Sequence, residues 1–126
     1  MNIGIVGYGK LGQALEGRCR DFPDISIKYV VSRRAGQIRP KLDIPVITAE
    51  DALRGSIDVD CMIIAVGSER DATDTVLAFL ERFNTVDCFD MHRYGTKHRK
   101  IAENGAKNSN RTALCMSGWD PGLLSV

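Results

Sequence analysis

The sequence lacks a long apolar run, and it lacks an excess of charge of either sign. A transmembrane helix needs about 20 consecutive, mostly apolar residues, whereas the apolar residues of this 126-residue chain stand in short runs. Seventeen Lys and Arg residues face sixteen Asp and Glu residues, which leaves a net charge of +1. The first residues do not follow the basic and then apolar order of a secretory signal. We therefore expect neither a membrane protein nor one that binds nucleic acid through bulk charge.

Clustered metal ligands are also missing from the sequence. It has two isolated histidines, His92 and His98, and four cysteines without a CxxC pair: Cys19, Cys61, Cys88 and Cys115. This spacing predicts no zinc site. Because most of the cysteines lie in or beside apolar runs, we expect buried free thiols in a reducing compartment and hence a cytoplasmic protein. We expect His98, which lies in a basic helix, to be solvated.

The most informative pattern lies in the first dozen residues. A short apolar run ends in Gly7-x-Gly9-x-x-Gly12, and apolar residues then recur at helical spacing at positions 11, 14, 15 and 19. A strand, a glycine turn and a helix in this order are typical of a dinucleotide-binding unit. There the first glycine permits the tight turn, the second lets the backbone approach a pyrophosphate, and the third allows close helix packing. A βα turn with a purely structural role is the alternative.

The residues after the second predicted strand, 25–31, indicate which dinucleotide the unit binds. An NAD site has a carboxylate about 20 residues beyond the glycines, where it accepts a hydrogen bond from the ribose 2′-hydroxyl. This chain has Ser32, Arg33 and Arg34 at that point. A guanidinium binds a 2′-phosphate through charge-assisted hydrogen bonds, so the sequence predicts NADP. The alternative is a solvated loop in which the two arginines bind nothing.

Strands and helices alternate along the rest of the chain. We predict strands at 44–47, 60–66, 85–89 and 112–116, and helices at 49–54, 69–83 and 94–107. Segment 35–48 is expected to be largely irregular, with a short edge strand near Pro45 and with Thr48 as the N-cap of the next helix. The predicted fold class is α/β, a Rossmann-like doubly wound parallel sheet in a three-layer α/β/α arrangement.

Several motifs together resemble those of meso-diaminopimelate dehydrogenases. In order along the chain they are Val6-Gly7-Tyr8-Gly9-Lys10-Leu11-Gly12, Ser32-Arg33-Arg34, Gly67-Ser68, Asp87-x-x-Asp90-x-His92-Arg93 and Ser117-Gly118-Trp119-Asp120-Pro121-Gly122. The resemblance implies an NADP-dependent enzyme that oxidatively deaminates the D-centre of meso-2,6-diaminopimelate. The implied products are ammonia, NADPH and L-2-amino-6-oxopimelate, which cyclises to tetrahydrodipicolinate in lysine biosynthesis.

The same resemblance implies a domain organisation. Residues 1–118 would form the NADP-binding Rossmann domain, and residues 119–126 would begin a truncated connection toward a missing substrate-binding and dimerisation domain. The full-length enzyme is expected to be a homodimer. We expect the 126-residue chain alone to be inactive.

Individual site residues follow from the resemblance position by position. The residues implied to bind the cofactor are Gly7, Tyr8, Gly9, Lys10, Leu11, Gly12, Ser32, Arg33, Arg34, Ala65, Val66, Gly67, Ser68 and Met91. Those implied to bind the substrate are Asp90, Trp119, Asp120 and Pro121. Asp90 and Asp120 are the implied catalytic residues, because a carboxylate near the amine orients the ammonium and stabilises a developing iminium charge. The alternative is that both aspartates are turn residues or helix caps.

Three other functions remain open from the sequence. One is a non-catalytic NADP-binding module or sensor, and another is a nucleotide-free α/β interaction domain whose melting temperature NADPH would not change. The third is a different NADP-linked dehydrogenase or imine reductase, against which the Trp119-Asp120-Pro121 turn argues.

Overall fold

The computed structural model of the chain describes residues 1–66, 70–88 and 94–115. Within these ranges, six parallel strands form one sheet, in the order β3-β2-β1-β4-β5-β6. The strands are β1 (Asn2–Val6), β2 (Ser26–Val31), β3 (Val46–Ile47), β4 (Cys61–Ile64), β5 (Thr85–Asp87) and β6 (Ala113–Leu114). The helices are α1 (Lys10–Cys19), α2 (Ala35–Ile38), α3 (Ala49–Arg54), α4 (Arg70–Leu80) and α5 (Gly95–Ser109).

The order of the strands creates a crevice at one edge of the sheet. The chain begins in the middle with β1, runs outward to β3, and returns to β4 on the other side of β1. Helices that leave β1 and β4 therefore diverge, and in such sheets ligands bind at the carboxyl ends of the strands at this point. The prediction of a doubly wound parallel sheet is confirmed.

Apolar side chains cover the sheet on both faces. Neighbouring residues of a strand point to opposite faces, and Val31 belongs to the larger core with α3, α4 and α5, whereas Val30 belongs to a smaller one. We name the smaller core the α2 cluster. It consists of Val30, Ala35, Ile38 and Val46, with Tyr8, Leu42 and Ile44 packed against it. Helices on both faces make the predicted three-layer arrangement.

The structure differs from the expectation for segment 35–48. Its first part is ordered as α2 and a 3₁₀ turn, Arg39–Lys41. Ala35 and Ile38, three residues apart, are both buried within the α2 cluster, and this burial stabilises the short helix. The edge position of β3 and the N-cap at Thr48, whose Oγ1 accepts a hydrogen bond from the Asp51 N–H at 3.2 Å, are confirmed.

The buried face of α1 also differs from the expected one. The predicted apolar stripe began at Leu11, but that side chain is 44% exposed, and the buried residues are Gly12, Glu16 and Cys19. Cys19 is buried as expected, but Gly12, which approaches the Gly7 carbonyl closely, and Glu16 take the inward positions in place of Leu11 and Ala14. A carboxylate therefore occupies the inward face. Among the described residues, no helix is both long and apolar enough to cross a membrane.

Candidate functional site

A cleft of about 560 Å³ opens at the carboxyl ends of β1, β2 and β4. Eight residues predicted to bind the cofactor line it: Gly7, Tyr8, Gly9, Ser32, Arg33, Arg34, Ala65 and Val66. Lys10, Leu11 and Gly12 form the first turn of α1, directly after the cleft residue Gly9. Four further lining residues were not predicted from the sequence, because α3 and α4 reach the cleft only through tertiary packing: Ala49, Asp74, Thr75 and Phe79.

The glycine turn requires glycine at two positions. Gly7 has φ +101°, a conformation that side-chain-bearing residues rarely adopt. At position 12, a Cβ atom would lie 2.0 Å from the Gly7 carbonyl oxygen, far inside van der Waals contact. The two glycines together bring the start of α1 against the end of β1.

Gly9 faces open space. It is the N-cap of α1, and no heavy atom lies within 4 Å of the place where its Cβ would be. The first turn of α1 contains no acidic residue, and glycine provides no side chain to accept hydrogen bonds from its N–H groups. Backbone donors and the positive end of the helix dipole therefore remain available to an anion that enters the cleft. We name the turn Gly7–Gly9 together with the first turn of α1 the glycine cradle. Its free backbone donors fit a pyrophosphate group.

The arginine pair forms another wall of the same cleft. Arg33 and Arg34 are both exposed, and the Arg34 N–H donates to the Ser32 Oγ at 3.1 Å, which shapes the turn after β2. No ion pair between described residues involves either guanidinium. Two cations at the end of β2 suit a second anionic group, at a distance from the glycine cradle.

A hydrogen-bonded chain runs from the glycine turn to the loop before β3. The Tyr8 hydroxyl lies 3.2 Å from Glu16 Oε1, Arg20 Nε lies 2.5 Å from Glu16 Oε2, and Arg20 Nη2 lies 2.9 Å from Asp43 Oδ1. Burial, and then the hydrogen bond to Glu16, raises the pKa of Tyr8. The hydrogen bond from Arg20 lowers the pKa of Asp43. Glu16 was not predicted as part of the site, because its burial depends on how α1 packs on the sheet.

His98 is not solvated, contrary to the expectation from its basic helix. It is 1% exposed, its Nε2 lies 2.8 Å from Asp87 Oδ2, and its Nδ1 lies 2.8 Å from Thr73 Oγ1. Thr73 belongs to α4 and Asp87 belongs to β5. The inward face of α5 therefore carries a polar side chain that neighbouring elements satisfy.

Cys115 joins this pair to form a group of three side chains with metal-ligating atoms. The ligand atoms of Asp87, His98 and Cys115 lie within 4.8 Å of one another, a grouping that the sequence spacing did not predict. Burial, followed by the charge and hydrogen bond of Asp87, raises the pKa of Cys115 to about 12. Asp87 is hydrogen-bonded to both of the other side chains, with His98 Nε2 at 2.8 Å from its Oδ2.

The remaining predicted site residues lie outside the described ranges. They are Gly67, Ser68, Asp90, Met91, Trp119, Asp120 and Pro121. Their roles as cofactor-binding, substrate-binding or catalytic residues stay predictions. The four cysteines fall within the described ranges and are free thiols there, with Cys19 buried and the other three partly buried.

Known proteins are similar to this chain along its whole length, although no family model matches it. It is 34% identical over 127 residues to the meso-diaminopimelate D-dehydrogenase of Ureibacillus thermosphaericus. The match covers 100% of this chain and 39% of that protein. A crystal structure of an engineered D-amino acid dehydrogenase bound to NADP⁺ is 34% identical, with a TM-score of 0.85 over 100% of this chain and 39% of the other. C. glutamicum DAP dehydrogenase in complex with DAP is also 34% identical, with a TM-score of 0.85 over 99% of this chain and 38% of the other.

These similarities confirm the resemblance that the motifs predicted, and they confirm the Rossmann-like fold. The chain spans about 39% of the length of the curated relative.

Proposed function

We propose that this chain is the NADP-binding part of a meso-diaminopimelate dehydrogenase. One observation carries the proposal: a glycine cradle at the start of α1 and an arginine pair at the end of β2 line the same cleft. Two anionic groups of one ligand fit this arrangement, and NADP has a pyrophosphate and a 2′-phosphate. The whole enzyme would oxidatively deaminate the D-centre of meso-2,6-diaminopimelate.

The glycine turn is the proposed site for the pyrophosphate. The open space at Gly9 allows the backbone of the turn to approach the phosphates, and the N–H groups of Lys10 and Leu11 belong to the free first turn of α1. The helix dipole favours negative charge at this end. We further propose that Ala65 and Val66, which line the cleft, continue with Gly67 and Ser68 along the pyrophosphate and the adenosine ribose.

The 2′-phosphate is assigned to Ser32, Arg33 and Arg34. Both guanidiniums are exposed, and among the described ion pairs neither has a carboxylate partner. An exposed arginine without such a partner can bind a phosphate with paired hydrogen bonds. Because the turn has no carboxylate, it also lacks the group that accepts from the 2′-hydroxyl of NAD.

The substrate side of the proposal concerns residues outside the described ranges. When bound, NADP would supply the acceptor for a hydride from the substrate carbon. Asp90 and Asp120 are proposed to hold and orient the substrate ammonium, Trp119 and Pro121 to contact the substrate, and Met91 to contact the nicotinamide. Residues 1–118 are proposed as the cofactor-binding domain, with the rest of a homodimeric, cytoplasmic enzyme supplying the remaining substrate contacts.

Isothermal titration of the chain with NADPH and NADH tests the cofactor assignment. We expect tighter binding of NADPH, and we expect Arg33→Ala with Arg34→Ala to remove most of the difference, a loss of about 2–3 kcal/mol or roughly 30- to 150-fold. The matched control is Arg18→Ala with Arg54→Ala, which removes the same charge from exposed ion pairs outside the cleft lining.

Equal affinity of the wild-type chain for both cofactors would refute the role of the arginines. Binding of neither cofactor by a folded chain would instead favour the nucleotide-free interaction domain. Selective NADPH binding leaves catalysis to be tested in the whole enzyme, where absence of hydride transfer would favour the non-catalytic module.

A further inference from the structure

Tyr8 contacts both parts of the cleft, the glycine turn and the segment that follows the arginine pair. Its backbone is part of the glycine turn, between Gly7 and Gly9, and its ring packs against the α2 cluster. That cluster holds the segment that begins directly after Arg34. The side chain of Tyr8 therefore connects the cradle for the pyrophosphate with the segment that carries the arginine pair.

A second connection between the same two parts runs through charged side chains. Glu16 accepts from the Tyr8 hydroxyl with one carboxylate oxygen and from Arg20 with the other. Arg20 also donates to Asp43, which lies between Leu42 and Ile44, the two residues that flank the α2 cluster. The hydrogen bonds and the α2 cluster thus connect the Tyr8 hydroxyl, through Glu16, Arg20 and the loop around Asp43, with the cluster against which Tyr8 itself packs.

The Glu16 carboxylate is unusual for its position. It lies on the inward face of α1 and is only 8% exposed, where an apolar side chain would avoid the cost of burying a charge. Stability alone therefore does not explain a glutamate there. What the carboxylate does uniquely is accept two donors at once, one from the glycine turn and one from the arginine that reaches the loop before β3.

We propose that Glu16 is a positioning residue for cofactor discrimination, because it sets the separation between the glycine turn and the arginine pair. The two phosphate groups of NADP have a limited separation, so both sites contribute fully only when this distance is fixed in advance. The inference rests on the proposed function, since it concerns the same cleft. Glu16 itself touches no ligand in this proposal and acts through Tyr8 and Arg20.

The test compares the ratio of NADH to NADPH dissociation constants in wild type and Glu16→Gln, measured by calorimetry. Glutamine keeps the size of the side chain but loses the charge that holds Arg20. We expect the ratio to fall by about tenfold, the effect of losing one charge-assisted hydrogen bond, with NADH affinity nearly unchanged. Glu103→Gln is the matched control, because the ion pair that Glu103 forms among the described residues lies across an exposed turn of α5, with Lys107 at 3.4 Å.

Two further variants keep the test decisive if Glu16→Gln does not fold. Tyr8→Phe removes only the hydroxyl, and Asp43→Asn weakens the outer link, where the carboxylate is 76% exposed. Both are expected to lower the ratio in the same direction, each by less than Glu16→Gln.

The outcomes separate the inference from the proposed function. Wild type that prefers NADPH, together with unchanged ratios in the folded variants, would overturn the inference alone. Equal weakening of NADPH and NADH would also overturn it, because a general structural role has that result. Wild type without any preference for NADPH would overturn the proposed role of Arg33 and Arg34, and the inference with it.

Discussion

The imidazole Nε2 of His98 lies 2.8 Å from Oδ2 of Asp87, and both side chains are 1% exposed. The other ring nitrogen lies 2.8 Å from Thr73 Oγ1, so that one side chain connects α5 to both α4 and β5. Both nitrogens of the ring have partners, as a buried polar group requires.

Replacing His98 with alanine is expected to destabilise the protein strongly. The change removes a donor from a buried carboxylate and leaves a cavity, so the free energy of unfolding should fall by about 3 kcal/mol. Urea unfolding measures the difference. Lys97→Ala, an exposed change one residue earlier on the same helix, serves as the control and should shift stability by no more than about 0.5 kcal/mol. An equal effect of the two changes would contradict the importance of the His98 contacts.

Alanine substitutions at two glycines of α1 should have opposite effects. At Gly12 the new Cβ would lie 2.0 Å from the Gly7 carbonyl oxygen, so the backbone must move, at a cost of about 1–3 kcal/mol. At Gly17 nothing lies within 4 Å of the Cβ position, and the higher helix propensity of alanine should stabilise by about 0.5–1 kcal/mol. Thermal unfolding of both variants measures the contrast. Similar melting temperatures for the two would show that α1 does not depend on its close approach to the turn.

Valine at position 9 should block the cofactor without unfolding the protein. Gly9 lines the cleft, its φ of −81° is one that valine can adopt, and no heavy atom lies within 4 Å of its Cβ position. We expect a melting temperature close to that of wild type and an NADPH affinity at least tenfold lower, or about 1.4 kcal/mol. Gly36→Ala, also at an unobstructed position, is the control and should bind normally. Undiminished NADPH binding by Gly9→Val would exclude the cradle as the pyrophosphate site.

Alkaline pH should destabilise the folded chain. Burial raises the pKa values of Cys19 and Cys61, and burial with Asp87 raises that of Cys115 to about 12, from an ordinary value of 9.0. The unfolded chain therefore loses these protons first, so stability is complete below the ordinary thiol pKa and falls as pH rises from there toward the folded values. Urea unfolding between about pH 7 and pH 10 measures this fall.

The variant Cys115→Ala isolates the largest of these contributions. Without the thiol at position 115, the loss of stability with rising pH should be shallower than in wild type. An unchanged slope would mean that another group causes the alkaline effect.

Local sequence determined the parts of this protein that depend on neighbouring residues. The glycine turn could be predicted because two of its positions accept only glycine. Gly7 has a positive φ, and Gly12 lies where the helix approaches the turn too closely for a Cβ atom. The alternation of apolar runs with helical periods predicted the parallel sheet. Thr48 was recognisable as a cap because its partner, the Asp51 N–H, is only three residues away.

Tertiary structure alone decided which side chains meet across the fold. His98 contacts Asp87, eleven residues away in the sequence, and Thr73, twenty-five residues away. The basic composition of its helix had predicted a solvated ring instead. The burial of Glu16 follows from the packing of Gly12 on the sheet, which leaves Leu11 exposed, although Cys19 is buried as its apolar character predicts. Periodicity describes an element by itself, whereas the rotation of a helix on a sheet is set by the atoms on both sides of the contact.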